Sequence, residues 1–457
     1  MTMAETAFTR AVAPGALPLL GHALRLLRDP LPFVSCLASH GDLVEIRLGP
    51  QRVYMVCHPE LLQRVLTDDR TFDKGGPLFD RLRDFMGNGL ATCPHADHRR
   101  QRRLAQHAFH HQHMERHGAV MTHQVELMLD QWEDGQVIDA FPVFSAYTLR
   151  TVARSLFTAD LGDDRVGTIR RTFTDVLAGA LPRMLVPDAW QRLPLPGNHR
   201  YREANRILTD TVNSVIAQYR QDGTDHGDLM SMLLAARDED GGGLSDTELR
   251  DQVVNLFVAG GETPAAVLSW AVAELAAHRG AERLLYEETD RVLAGRVATW
   301  HDLPRLPHTT RIIHETLRRY PGALMITRAA SRPAQLAGDP LPAGSVIGFS
   351  PLILQSRPDY FPAPERFDPD RWLPEHALAM PRAAFAPFGG GPRKCIGDTF
   401  AMAEMTLALA SIAARWTWRT TKPTDLRPAL SPAAVRPRRV SLQLTARTPA
   451  RTPPTGN

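Results

Sequence analysis

One stretch limits what this chain can fold into more than any other. From Ser245 to about His278 the sequence keeps a helical pattern with no exposed loop signal, through DQVVNLFVAGGETPAAVLSWAVAELAAH. Ser245 followed three residues later by Glu248 is a capping box that starts it. At about 1.5 Å per residue such a helix is on the order of 50 Å long, enough to cross the whole molecule and act as its scaffold. Its middle holds Gly260, Gly261 and Pro264. Relative to alanine these cost roughly 1 kcal/mol for each glycine and about 3 kcal/mol for the proline. Two readings follow. Either a short break joins two helices, or a distorted turn opens a groove, in which the Gly260 carbonyl, denied an N–H by Pro264, is free for water or ligand. Both predict a kink.

Helical periodicity also dominates the rest of the chain, and β-type runs are short: Leu43 to Gly49, Arg52 to Cys57, Ser345 to Ser350 and Val440 to Leu444. The first two read as a hairpin about Gly49-Pro50-Gln51. The expected fold class is mainly α with a small β region. Residues 1–18, rich in Ala and Pro, are expected to be a loose arm, residues 19–447 a single domain without an internal linker, and residues 448–457 a frayed tail.

The chain has 457 residues, 43% of them hydrophobic, enough for a large core. Its 53 basic and 50 acidic side chains leave a formal charge of only +3, which argues against a nucleic-acid coating protein. Cys36, Cys57, Cys93 and Cys395 are scattered and form no CxxC pair, so neither a disulfide scaffold nor a zinc ribbon fits. The start of the chain lacks a basic flank followed by a long apolar run, so no membrane anchor is expected and the expected location is cytoplasmic.

The chemistry centres on FGGGPRKCIG, Phe388 to Gly397, just ahead of a helical run. Its glycines let backbone approach something flat or bulky, Arg393 and Lys394 place positive charge beside Cys395, and a helix N-terminus follows. All three favour a thiolate, whereas a lone cysteine is more often a buried apolar residue. The segment is a complete match to the FxxGxRxCxG signature of the cytochrome P450 family, the haem-thiolate monooxygenases, and the chain resembles that family over nearly its whole length. The resemblance implies the family's triangular helical prism, with the long central helix over the haem.

The resemblance also implies roles for individual residues. Cys395 would be the iron ligand of haem b, with Phe388 of the same loop against the cofactor. His98 and Arg102, four apart on a helix, and Arg328 and Arg393 match the positions that hold the propionates. AGGET, Ala259 to Thr263, resembles the family's central-helix motif and makes Glu262 and Thr263 the proton-delivery pair; Pro264 departs from the family, where a second hydroxyl residue is usual. Glu315 and Arg318 give the ExxR spacing and, with Arg366 of PERF, a structural triad that holds the cysteine loop. The substrate pocket would draw on Phe85, Met86, Met184, Leu185, Phe257, Leu324 and Met325, all apolar, although such a stripe is more often ordinary core.

The implied activity inserts one oxygen atom of O2 into an apolar small molecule. Several stretches, among them HGDLVEIRLGP and HRRQRRL, look like actinobacterial enzymes that oxidise cyclic terpenes. Electrons would come from a separate ferredoxin and its NAD(P)H-dependent reductase, docked on the arginines of His98 to Arg103 together with Arg393 and Lys394. The competing readings are a peroxide-driven peroxygenase, which would carry an arginine where this chain has Thr263, and a haem-based sensor or carrier, which would not need Glu262 and Thr263. A metal site in the tract His107 to His117 lacks an Asp or Cys at ligand spacing. The aspartates Asp68, Asp69 and Asp73 are spaced DDxxxD, not the DDxxD of a terpene cyclase.

Overall fold

In the computed structural model the central run forms one continuous helix, Asp246–Ala277, of 32 residues. Both capping-box bonds are made: Ser245 N–H donates to Glu248 Oε2 at 2.8 Å, and Glu248 N–H to Ser245 Oγ at 3.2 Å. The two-helix reading is thereby corrected. Hydroxyls take up carbonyls around the proline: Thr148 donates to Gly261 O at 2.6 Å, and Thr263 to Ala259 O. Burial on nearly every side then outweighs the poor local propensity. A Cβ on Gly260 would stand 2.6 Å from Val152 Cγ2, so glycine here is what lets helix Ala140–Leu156 approach so closely. Among the described residues this helix alone is long and apolar enough to cross a membrane, and 72% of its apolar window is buried within the protein, as a core helix requires.

The structure describes residues 8–157, six positions between 168 and 183, 193–377, 380, 381, 383–430 and 434–448. The chain gathers into two compact units, one of residues 1–80 and 315–395 and the other of 81–314 and 396–457.

The first unit carries a six-stranded sheet in the order Arg10–Val12, Leu43–Leu48, Gln51–Val56, Val346–Phe349, Ile326–Ala330, Phe72–Asp73. The predicted hairpin is present, with Leu43 opposite Val56 and Leu48 opposite Gln51. Val346–Phe349 runs parallel to Val53–Val56 and is buried at every position, as a central strand must be. Arg10–Val12 pairs in parallel with Leu43–Glu45. The expected loose arm is therefore part of the sheet from residue 10, because Leu43–Leu48 would otherwise present an open edge. Leu61, Leu62, Val65 and Leu66 of helix Pro59–Thr67 pack with Ile347 and Phe349 in the core of this unit.

In the second unit the central helix packs on Ala140–Leu156, and one cluster joins Leu149, Val152 and Leu156 to Val253, Phe257 and Val258. Helix Asp398–Arg415 packs on His111–Leu129 through Leu407, Ala410, Met114 and Met121. The strand expected at Val440 to Leu444 is Ser441–Ala446, paired with Trp416–Thr420 and Val137–Asp139. The tail from residue 449 lies outside the described residues.

Candidate active site

In the first unit the cysteine loop is moulded on helix Pro59–Thr67. Gly389 and Gly391 have φ of +70° and +63°, and a Cβ on Gly391 would lie 2.0 Å from Leu66 O. No other residue type fits that position without moving backbone. Cys395 N–H donates to Phe388 O at 2.9 Å, which closes the loop, and the Cys395 side chain is exposed, three residues ahead of helix Asp398–Arg415.

Arg393, two residues from that thiol, is buried and held by two carboxylates: Nε donates to Asp69 Oδ2 at 3.2 Å and the guanidinium to Asp73 Oδ1 at 2.7 Å. Asp69 and Asp73, read in the sequence only as a failed magnesium motif, are thus structural counter-ions. Arg328 is buried beside them, lies 5.4 Å from the Phe349 ring centre and donates to Thr327 O at 3.0 Å. Burial, and then the neighbouring charge of Arg393, push its pKa down to about 10 against the pull of Asp73 and Asp69. An anionic ligand would reverse that shift.

Glu315 and Arg318 make the predicted pair, fully buried and two-pronged: Nε to Oε2 at 2.9 Å and a terminal nitrogen to Oε1 at 2.8 Å. Arg318 also donates to Gln355 O, Pro364 O and Arg366 O. Arg366 therefore enters the network through its backbone carbonyl, and its side chain is exposed. The second cation at Glu315 is Arg371, 3.4 Å from Oε1, with Trp372 Nε1 donating to Oε2 at 3.1 Å. This corrects the third member of the triad. PERFDPDRW offers two arginines at this approach, and the 3₁₀ turn Pro369–Trp372 aims the later one inward.

In the second unit, His98 and Arg102 share helix His95–Gln106, with His98 buried and Arg102 half-buried. Glu262 and Thr263 sit in the middle of the central helix, Glu262 buried and Thr263 half-buried. Of the substrate candidates, Phe85, Met86 and Phe257 are buried in one cluster. In the first unit Leu324 is buried and Met325 half-buried. Met184 and Leu185 fall outside the described residues. The basic tract is largely spoken for: Arg100 bonds to Asp238 Oδ2, Glu248 Oε1 and Gly243 O, and Arg103 pairs with Glu239. Among the described residues no group of histidines and carboxylates is arranged to hold a metal ion.

The model of the family described as Cytochrome P450 matches residues 12–444. The chain belongs to the cytochrome P450 family. It is 48% identical to pentalenene oxygenase of Streptomyces avermitilis over 98% of this chain and 100% of that protein. It is 45% identical to cyclooctatin synthase of Streptomyces melanosporofaciens, and 42% to cyclooctat-9-en-7-ol 5-monooxygenase of the same species, covering 91% and 92% of this chain and 92% of each relative. Among solved structures, the cytochrome P450DA haem domain superposes with a TM-score of 0.87 at 25% identity, covering 97% of this chain and 99% of that one. This P450 is accordingly a monooxygenase with the family's mainly helical fold. It uses haem b, O2, an organic substrate and a redox partner.

The residues present fit haem b. An exposed thiol stands on a loop whose glycines carry no side chains, and buried Arg328 sits in a field that an anionic propionate would relieve.

Proposed function

We propose that this P450 hydroxylates a cyclic terpene hydrocarbon or a similarly apolar secondary metabolite in the cytoplasm, with electrons from a ferredoxin and its NAD(P)H-dependent reductase. Residues 10–447 act as one monooxygenase domain, the strand Arg10–Val12 included. The observation that carries the substrate reading is the 48% identity to pentalenene oxygenase along almost the whole chain; the cyclooctatin enzymes point to the same class of carbon skeleton.

Bound haem b supplies O2 activation at an iron carrying a thiolate. Cys395 would hold the iron, with Phe388 packing in the same loop. Arg328, Arg393, His98 and Arg102 would hold the propionates as charge-assisted donors. Glu262 and Thr263 move protons. The Thr263 hydroxyl donates to Ala259 O; releasing that carbonyl would free Oγ1 to accept a proton from the Glu262 side and pass its own forward. Phe85, Met86, Phe257, Leu324 and Met325, with Met184 and Leu185, would supply apolar walls that orient the substrate and exclude water. Two electrons and two protons leave one oxygen atom in the product hydroxyl and the other in water.

The test is turnover of pentalenene by the holoenzyme with ferredoxin, reductase, NADPH and O2, followed by mass spectrometry. The expected product carries one added oxygen atom derived from O2. Thr263→Ala should keep consuming NADPH while losing most of that product. Absence of product from pentalenene and from other cyclic terpenes would overturn the substrate reading, and unchanged coupling in Thr263→Ala would overturn the relay.

A further inference from the structure

The loop 87–94 links helix Pro77–Met86, which ends in Phe85 and Met86, to helix His95–Gln106. Such a loop ordinarily satisfies its backbone with its own turns or with water. Here the side chains of the central helix do much of it. Asp251 Oδ2 accepts from Asn88 N at 2.7 Å, Gln252 Oε1 from Leu90 N at 3.1 Å and Asn255 Oδ1 from Ala91 N at 3.0 Å. Asn255 Nδ2 donates to Met86 O at 2.8 Å, so this one amide grips the loop at both its entry and its middle. A second tier locks the first: Gln252 Nε2 donates to Gln101 Oε1 at 2.8 Å, and Gln101 Nε2 to Asn88 O at 2.9 Å.

Residues 251, 252 and 255 lie on one side of the helix, and all three side chains are buried. The loop is cut to match them. A Cβ on Gly87 would stand 2.2 Å from Asp251 Cγ, and one on Gly89 2.4 Å from Asn255 Nδ2. Immediately beside the clamp, Phe85 and Met86 share an apolar cluster with Val254, Phe257 and Val258 of the same helix. Asn255 precedes Thr263 by eight residues, about 12 Å along the axis.

We propose that Asp251, Gln252 and Asn255 form a clamp that fixes the 86–91 loop on the central helix and so sets the position of Phe85 and Met86. Asn255 is the positioning residue that decides how large an apolar molecule the P450 admits. The proposal rests on the family assignment and on Phe85 and Met86 facing substrate, and not on the identity of the terpene. Asn255 Nδ2 also donates to Asp251 O of its own helix at 2.7 Å; buried amide side chains bonded to another segment's backbone hold that segment more firmly than apolar packing, because each lost bond strands a buried group.

The experiment compares holoenzyme with Asn255→Leu and, as a milder variant, Gln252→Met, which spares both Asn255 bonds. Three properties are read: the carbon monoxide spectrum, hydrogen exchange of the 87–92 backbone, and spectral titration with imidazole and with the bulkier 4-phenylimidazole. The expected result is an unchanged carbon monoxide spectrum and at least ~10-fold faster exchange at Leu90 and Ala91 in Asn255→Leu. In the same variant the ratio of the two azole affinities should shift severalfold, with a smaller change of the same kind in Gln252→Met. Faster exchange with an unchanged azole ratio would reduce the clamp to a structural tie and overturn the proposal. Unchanged exchange in a folded variant would overturn it as well. If Asn255→Leu fails to fold, the same two readings on Gln252→Met decide. Failure of pentalenene turnover alone would leave these readings intact, so the two proposals fail separately.

Discussion

At the residue scale, the cysteine loop is fixed by steric exclusion as much as by bonding. Gly391 combines a left-handed backbone with a Leu66 carbonyl where its Cβ would be. Gly391→Ala should therefore cost about 2–3 kcal/mol in denaturant unfolding of the holoenzyme. Gly197→Ala, where a Cβ meets nothing within 4 Å in helix Pro196–Asp222, should not destabilise and should gain up to about 1 kcal/mol of helix propensity. Equal costs would contradict the moulding of the loop on helix Pro59–Thr67. Legibility differs at this scale. The tight glycine loop before Cys395 and the Glu315–Arg318 pair are readable because their spacing is local. The exchange of Arg366 for Arg371 is not, since a 3₁₀ turn chooses between two arginines five residues apart. Asp69 and Asp73 were also hidden, because their partner Arg393 is more than 300 residues away in the chain.

At the element scale, two helices carry histidines held neutral, one buried and one half-buried. His117 on His111–Leu129 and His314 on Pro307–Arg319 both have pKa values pushed down from 6.5 to about 4, in each case chiefly by burial. The unfolded chain binds these two protons below about pH 6.5 while the folded protein does not. Stability is therefore complete above that pH and drains away as pH falls towards 4. His117 Nε2–H donates to Ala108 O, and the ring meets the Phe400 ring edge-on, 5.6 Å between centres. His117→Phe should accordingly flatten the loss of melting temperature between pH 7 and 4.5 by several degrees; an unaltered slope would count against burial as the cause. The helices and the hairpin were legible from periodicity and turn residues. The continuity of the central helix was not, because the burial that outweighs its poor local propensity comes from distant partners, Thr148 and Val152 among them, more than 100 residues upstream. The clamp was equally illegible, since Asp251, Gln252 and Asn255 read in sequence as polar helix positions.

At the scale of the whole molecule, the near-neutral charge leaves recognition of a redox partner to local basic sites. Arg100, Arg103 and Arg393 are engaged in internal ion pairs, and in their respective units Arg99 and Lys394 are exposed. Neutralising Arg99 and Lys394 together should slow reduction by ferredoxin ~10-fold at low ionic strength and less than ~2-fold at about 0.5 M salt, measured by stopped flow. Equal slowing at both would place docking elsewhere. In the proposed function all oxygen chemistry depends on a single side chain, and the most direct measurement is the carbon monoxide difference spectrum of the reduced holoenzyme and of Cys395→Ser. The wild type should give the red-shifted band of thiolate-ligated haem, and the variant should lose that band together with turnover. A wild-type spectrum without the shift, or a variant that retains it, would contradict Cys395 as the iron ligand.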